Sequence, residues 1–198
     1  IGSSGAMTQM PTVLVGDGIG TDPRGIAIHP RRSYFYVVGT GTNKVYPFYI
    51  GRIFQMALTD RSGNASIPTG EKPYNIALDS SGRYAYVTNY GSGSDSSPGT
   101  VSMYRICQFT TANCMAGSLT SIGVVNIGGN NSKPLYIAAD NTSVLVVTEA
   151  GDVYHYMIGI DGTLTVTPNT VSVGVGATGI TLSSDQSAFY VWTANGVI

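Results

Sequence analysis

Apolar side chains recur at every second position in short runs along this chain, and glycine or proline breaks the pattern every dozen or so residues. In Asn75-Ile-Ala-Leu-Asp and in Asp152-Val-Tyr-His-Tyr-Met-Ile the alternation divides the side chains between the two faces of an extended backbone. The runs are rich in Val, Ile, Thr and Tyr, which suit a pleated surface, and the period is two rather than the 3.6 of a helix. The pattern predicts an all-β chain of short strands joined by tight turns.

One unit recurs four times. It reads Asp22-Pro-Arg-Gly-Ile-Ala-Ile-His-Pro, Lys72-Pro-Tyr-Asn-Ile-Ala-Leu-Asp, Lys133-Pro-Leu-Tyr-Ile-Ala-Ala-Asp and Ala177-Thr-Gly-Ile-Thr-Leu-Ser. A polar turn and a second apolar run follow each copy: Tyr34 to Val38, Tyr84 to Thr88, Val144 to Thr148 and Ala188 to Trp192. The anchors Ile26, Ile76, Ile137 and Ile180 lie 50, 61 and 43 residues apart. Such spacings suit four-stranded antiparallel blades, and so a β-propeller with about four blades' worth of chain. The third strand is expected at Thr100 to Ile106 and Asp152 to Ile158, and a fourth after the Asp161-Gly162 turn, at Thr170 to Gly174. The expected units are a partial blade over 1–20, repeats over 21–70, 71–131 and 132–175, and a partial blade over 176–198. With both ends in mid-blade, the chain is expected to be a segment of a larger ring; the alternative is a small ring closed by its two half-blades.

Tyr86-Val-Thr-Asn-Tyr90, followed by Gly99-Thr-Val-Ser-Met-Tyr104, resembles the signature of the YVTN β-propeller repeat family. That family includes lactonase-type propellers, bacterial surface-layer propellers and propeller domains of some nitrogen-oxide reductases. The resemblance covers nearly the whole chain and implies rings of about seven blades. It implies a fold and leaves function open, because many activities share this scaffold.

Charged residues make up only 11% of the chain and the net charge is −1, with ten scattered Lys and Arg. A nucleic-acid partner needs a clustered basic face, so none is expected. No apolar run is long enough to cross a bilayer as a helix. Ile1 to Met10 lacks the basic and apolar regions of a signal peptide. Cys107 and Cys114 fall in an expected hairpin turn. They read as a disulfide staple, or else as a redox or metal pair, although His29 and His155 lie elsewhere in strand-like segments. A staple implies an oxidising compartment, hence an extracellular, cell-surface or periplasmic location.

In lactonase-type relatives the catalytic residues gather where the chain enters each innermost strand, often with a His directly after a Pro-x pair. The matching positions here are Gly25, Asn75, Tyr136 and Gly179. Arg24 matches the Arg of such a Pro-Arg-His stretch, as an anchor for a carboxylate or phosphate or as a solvated turn residue. Glu149 sits where some relatives carry a Glu, and a general base there would want a His partner or a buried pocket. His155 reads as a structural histidine in a third strand, and His29 as a turn residue. Asp17 and Asp22 flank a glycine-rich loop but are too few for a calcium site, so neither metal nor cofactor is expected. Asn130-Asn-Ser and Asn141-Thr-Ser are formal glycosylation patterns that settle nothing.

Two longer loops, Gly41 to Ile50 with Tyr46, Phe48 and Tyr49, and Gly91 to Gly99, are expected to project from the channel face. Exposed aromatics favour binding, unless they pack on a neighbouring blade. Binding is therefore expected of Tyr46, Phe48, Tyr49, Arg24, Asn75 and Tyr136. The partner would be a protein, a small polar ligand, another copy or the remainder of the same chain. The overall expectation is a non-catalytic extracytoplasmic binding or scaffold module of a surface or secreted protein. The alternative is a lactone hydrolase resembling 6-phosphogluconolactonase, with its catalytic groups in blades beyond this sequence. A third is a propeller domain beside a redox enzyme, for which no metal-ligand cluster is visible.

Overall fold

The alternating runs form strands, and successive strands pair with their sequence neighbours into separate antiparallel sheets. The computed structural model describes residues 5, 14–16, 20–31, 33–50, 66–92, 98–128, 132–194 and 196–197. The first sheet contains β1 (Pro23–Ile28), β2 (Tyr34–Gly39), β3 (Lys44–Tyr49) and β4 (Ile67–Pro68). The second contains β5 (Pro73–Leu78), β6 (Tyr84–Asn89), β7 (Thr100–Ile106) and β8 (Leu119–Asn126). The third contains β9 (Pro134–Ala139), β10 (Ser143–Thr148), β11 (Asp152–Ile158) and β12 (Leu164–Ser172). The fourth contains β13 (Ala177–Leu182), β14 (Phe189–Thr193) and β15 (Gly196–Val197). The four sheets are the blades of a β-propeller, with inner strands β1, β5, β9 and β13 side by side. The partial blade expected over 1–20 lies largely outside the described residues.

The core is three seams between consecutive blades. Tyr36, Val38 and Val45 of the first blade pack on Ile76, Val87 and Tyr104 of the second. Tyr86, Val101 and Met103 then pack on Ile137, Val146 and Tyr156 of the third, and Val147 and Val153 on Ala177 and Val191 of the fourth. Because side chains alternate across each strand, one run of residues serves both flanking seams.

Tyrosine hydroxyls fasten these seams. In the second strand of a blade, Tyr36 donates to the Gly117 carbonyl at 2.9 Å and Tyr86 to the Gly162 carbonyl at 3.1 Å. Both acceptors lie in the outer turn of the following blade. In the third strand, Tyr104 and Tyr156 reach back to the Pro68 and Asn126 carbonyls at 2.7 and 3.5 Å. A buried phenol needs such a partner, since an unpaired one would cost about 1–3 kcal/mol.

Cys107 and Cys114 are joined as a disulfide across the turn between β7 and β8. Its loop also carries Gly117, so the staple supports the first seam as well as its own hairpin. Replacing both cysteines by serine is expected to lower stability by about 2 kcal/mol, the chain-entropy value for so short a loop. Equilibrium denaturation checks this, and an unchanged midpoint would contradict it.

The aromatic loop expected over Gly41 to Ile50 is corrected by the structure. Tyr46, Phe48 and Tyr49 belong to β3, and the connection from β2 is only Thr40–Asn43. β4 pairs only with Lys44 and Val45, so Pro47 occupies an edge position of the strand where its missing N–H is tolerated. Phe48 is buried and stacks on Phe35 at 4.8 Å, while Tyr49 packs on Tyr34 at the end of the blade away from the channel mouth. Tyr46 lies over Gly39 and donates to Thr42 Oγ1 at 3.0 Å. The other expected loop, Gly91 to Gly99, falls mostly outside the described residues. Among the described residues no helix is long and apolar enough to cross a membrane.

Candidate functional site

The mouth of the channel is built where each inner strand begins. Backbone bonds tie these entries to the loops after the second strands: Thr40 N–H to the Asp22 carbonyl, Tyr90 N–H to that of Lys72, and Glu149 N–H to that of Lys133. The proline that opens β1, β5 and β9 starts each inner strand at a bulge or irregularity in its pairing. Of the next two residues in each repeat, Arg24 and Gly25, Tyr74 and Asn75, and in the third repeat Tyr136, line the mouth region.

Arg24, Gly25, Ile26, Tyr74, Asn75 and Tyr136 line an open cavity of about 480 Å³. The Arg24 guanidinium lies 5.1 Å from the centre of the Tyr74 ring and its Nε is 3.4 Å from Asp22 Oδ2. Tyr74 and Tyr136 meet edge to face at 5.8 Å, so cation and rings form one wall. Burial, and then the contact with the Tyr74 hydroxyl, raise the pKa of Tyr136, which keeps it a neutral hydrogen-bonding group. Asn75 Oδ1 accepts from the Ile76 N–H at 2.8 Å, which fixes this side chain at the strand entry.

A second cluster adjoins the first. Tyr90 donates to Glu149 Oε2 at 2.8 Å, and the buried Lys133 holds its ammonium 5.8 Å from the Tyr90 ring. The bond to Glu149 is the main cause of a raised Tyr90 pKa, with burial and the charges of Glu149 and Tyr74 adding to it. Glu149 thus carries a phenol as its partner, and the structure brings no histidine to it.

Both histidines are held elsewhere. His29 is buried beyond β1, its Nε2 2.9 Å from the Gly82 carbonyl and its Nδ1 accepting from the Arg31 N–H. His155 in β11 has Nε2 3.0 Å from Ser143 Oγ. Gly25 cannot be exchanged for a histidine in this arrangement, because a Cβ there would lie 2.7 Å from Asn75 Cα. Asp22 is engaged with Arg24, and Asp17 lies outside the described residues.

Arg24, Asn75 and Tyr136 are therefore gathered at one cavity, Glu149 lies beside it, and Tyr46, Phe48 and Tyr49 do not contribute to it. Sequence reasoning missed Tyr74, Tyr90 and Lys133. The available signal was the column Arg24, Tyr74, Leu135, Thr178 read across the repeats.

No family model matches the sequence, and no curated protein matches it. Solved structures do resemble the fold. A candidate 6-phosphogluconolactonase from Bacteroides fragilis superposes with a TM-score of 0.70 at 18% identity, over 87% of this chain and 48% of that one. The periplasmic gluconolactonase of Pseudomonas aeruginosa gives 0.63 at 17%, over 88% and 47%. A dihydro-heme d1 dehydrogenase gives 0.60 at 16%, over 88% and 33%. The chain spans about half or less of the length of these structures, and at such identities the likeness shows the propeller fold alone.

Proposed function

We propose that the channel mouth binds a small sugar acid or its lactone, in a protein that works outside the cytoplasm. The observation that carries this reading is the wall of Arg24, Tyr74 and Tyr136 around one open cavity. Aromatic faces stack on the C–H face of a sugar ring, and a guanidinium pairs with a carboxylate or phosphate in a planar, two-pronged geometry. Asn75 adds amide groups that suit hydroxyls. The gluconolactonase names carried by two similar structures point to the same ligand class, and the disulfide fits an oxidising compartment.

The residues lining the cavity provide anchorage, and the carboxylate beside it, Glu149, accepts a hydrogen bond from Tyr90. Lactone opening needs a group that activates water, and the histidines are engaged in structural bonds away from this cavity. Hydrolysis would take its base from Glu149 or from groups outside the described residues. Non-catalytic binding is the second reading, favoured by Gly25, Asn75, Tyr136 and Gly179 at the four strand entries.

Calorimetric titration with gluconate, 6-phosphogluconate and gluconolactone tests the proposal. Wild-type protein is expected to bind at least one of them, and Arg24→Ala to weaken binding about tenfold or more, the scale of one charge-assisted contact. Binding that ignores Arg24, or no binding at all, would sink it. Lactone loss faster than the spontaneous rate would favour the hydrolase over the binding module.

A further inference from the structure

The blade ends away from the channel mouth are formed by turns, not by the lateral faces along which blades pack, and their charges are divided. Among the described residues, the first two blades carry Arg31, Arg83 and Arg105 at this end, all exposed. The acid of that half, Asp79, is buried, and its carboxylate serves Ser81 and the Tyr84 N–H. The third and fourth blades carry Asp140, Asp161 and Asp185 at the same end, and no described Lys or Arg. Each of these aspartates is held by its own turn through Oδ1: Asp140 by the Thr142 and Ser143 N–H groups, Asp161 by Thr163, and Asp185 by Ser183 and Ser187. These bonds keep the Asp161 pKa below the ordinary carboxylate value, with the Arg105 charge adding to the effect, and hold that of Asp185 at about 2. Among the described residues the one ion pair is Arg24–Asp22, so no Arg–Asp pair joins the two halves. Two apolar tips flank the boundary. Phe109, 70% exposed, stands in the turn between β7 and β8, and Ile160, 95% exposed, in the equivalent turn between β11 and β12. The turns are equivalent because Gly117 and Gly162 each receive the hydroxyl of a second-strand tyrosine, Tyr36 or Tyr86. The disulfide, with the Thr111–Cys114 and Gly117–Cys107 backbone bonds, braces the first tip.

We infer that this end of the protein docks on the same end of a second copy, about a two-fold axis along the boundary between the second and third blades. That operation sets the arginine half of each copy on the aspartate half of the other, and Phe109 of each beside Ile160 of the other. A two-fold contact is self-complementary and closes on itself, so assembly stops at two. Complementary charge fixes the register and speeds the encounter, while the apolar tips leaving water supply the driving force. Both channel mouths stay outward in the pair and open to ligand.

Light scattering after size-exclusion chromatography, over a concentration series, reads the outcome. Wild-type protein is expected at the mass of two copies. Raising salt from about 50 to about 500 mM is expected to weaken the pairing about tenfold, because the facing charges lie at the surface and are screened. Phe109→Glu sets a carboxylate against the aspartate half of a second copy, and Ile160→Lys sets a cation against the arginine half. Each variant is expected to run as a single chain with unchanged circular dichroism. A mixture of the two is expected to pair again, since the new carboxylate then faces the new cation and the other tip contact stays native. Wild-type protein that stays single at every concentration, whether or not it binds anionic vesicles, would overturn the inference. Pairing that ignores both substitutions, open-ended assembly, or variants that fail to pair when mixed would do the same.

Discussion

Alanine in place of Gly162 is expected to destabilise the protein by about 3 kcal/mol or more, whereas alanine at Gly174 costs only about 1 kcal/mol. Both glycines have positive φ, 86° and 81°, so both substitutions force a side chain into a backbone conformation it disfavours. They differ in space. A Cβ on Gly162 would lie 2.2 Å from Tyr84 Cδ1, while one on Gly174 meets nothing within 4 Å. Tyr84 cannot step aside, since its hydroxyl is held by the Ile160 carbonyl at 2.9 Å and its ring lies in the seam. Gly117 repeats the arrangement against Tyr34 at 2.4 Å, and its alanine variant is expected to behave like that of Gly162. Denaturant midpoints for the three variants check this. Equal losses at Gly162 and Gly174 would mean that the tyrosine–glycine seam is not tight.

Alkali is expected to unfold the protein cooperatively between about pH 10 and 12. Burial raises the pKa of Tyr104 and Tyr156 to about 12 from the ordinary 10.0. Burial raises Tyr36 and Tyr86 further still, with the negative charge of Asp79 adding to the effect at Tyr86. The fold requires these phenols neutral, while the unfolded chain ionises them near 10. Their contribution is therefore fully present below pH 10 and falls as pH rises through the folded values, by about 1.4 kcal/mol per tyrosine per pH unit. Four such groups together lose about 5 kcal/mol per pH unit, so within about two pH units they offset much of an ordinary folding free energy of about 5–15 kcal/mol. Phenolate absorbance should show an early phase from exposed tyrosines, then a step that coincides with loss of circular dichroism. All 13 tyrosines titrating together near pH 10 would contradict the account.

The blades were legible in sequence because each inner strand opens on a recognisable unit and alternates afterwards. Asp152–Ile158 is a strand with the bounds its pattern implies. The last strand of the third blade is longer than expected, Leu164–Ser172 rather than Thr170 to Gly174, because pairing with β11 resumes across an irregularity between Tyr154 and Tyr156. Tyr46, Phe48 and Tyr49 were expected in a loop but lie in β3, where Pro47 is tolerated at an edge position that is visible only once pairing is known. At the mouth, Arg24, Asn75 and Tyr136 could be named from the repeat register. Tyr74 shares a repeat column with Arg24, but that it reaches Arg24, and that Tyr90 reaches Glu149, follows only from blades packing side by side, and no local pattern records which residues of two repeats touch.

Hydrogen exchange with and without saturating gluconate, 6-phosphogluconate and gluconolactone in turn tests the central claim most directly. The account predicts added protection at the starts of three inner strands, Arg24 to Ile26, Tyr74 to Ile76 and Leu135 to Ile137, and at the Tyr90 and Glu149 loops. A second, apolar pocket lies at the other end of the blades, lined by Tyr34, Phe48, Tyr49 and Met115. Protection confined to that pocket, or none anywhere, would contradict a sugar-acid site at the channel mouth.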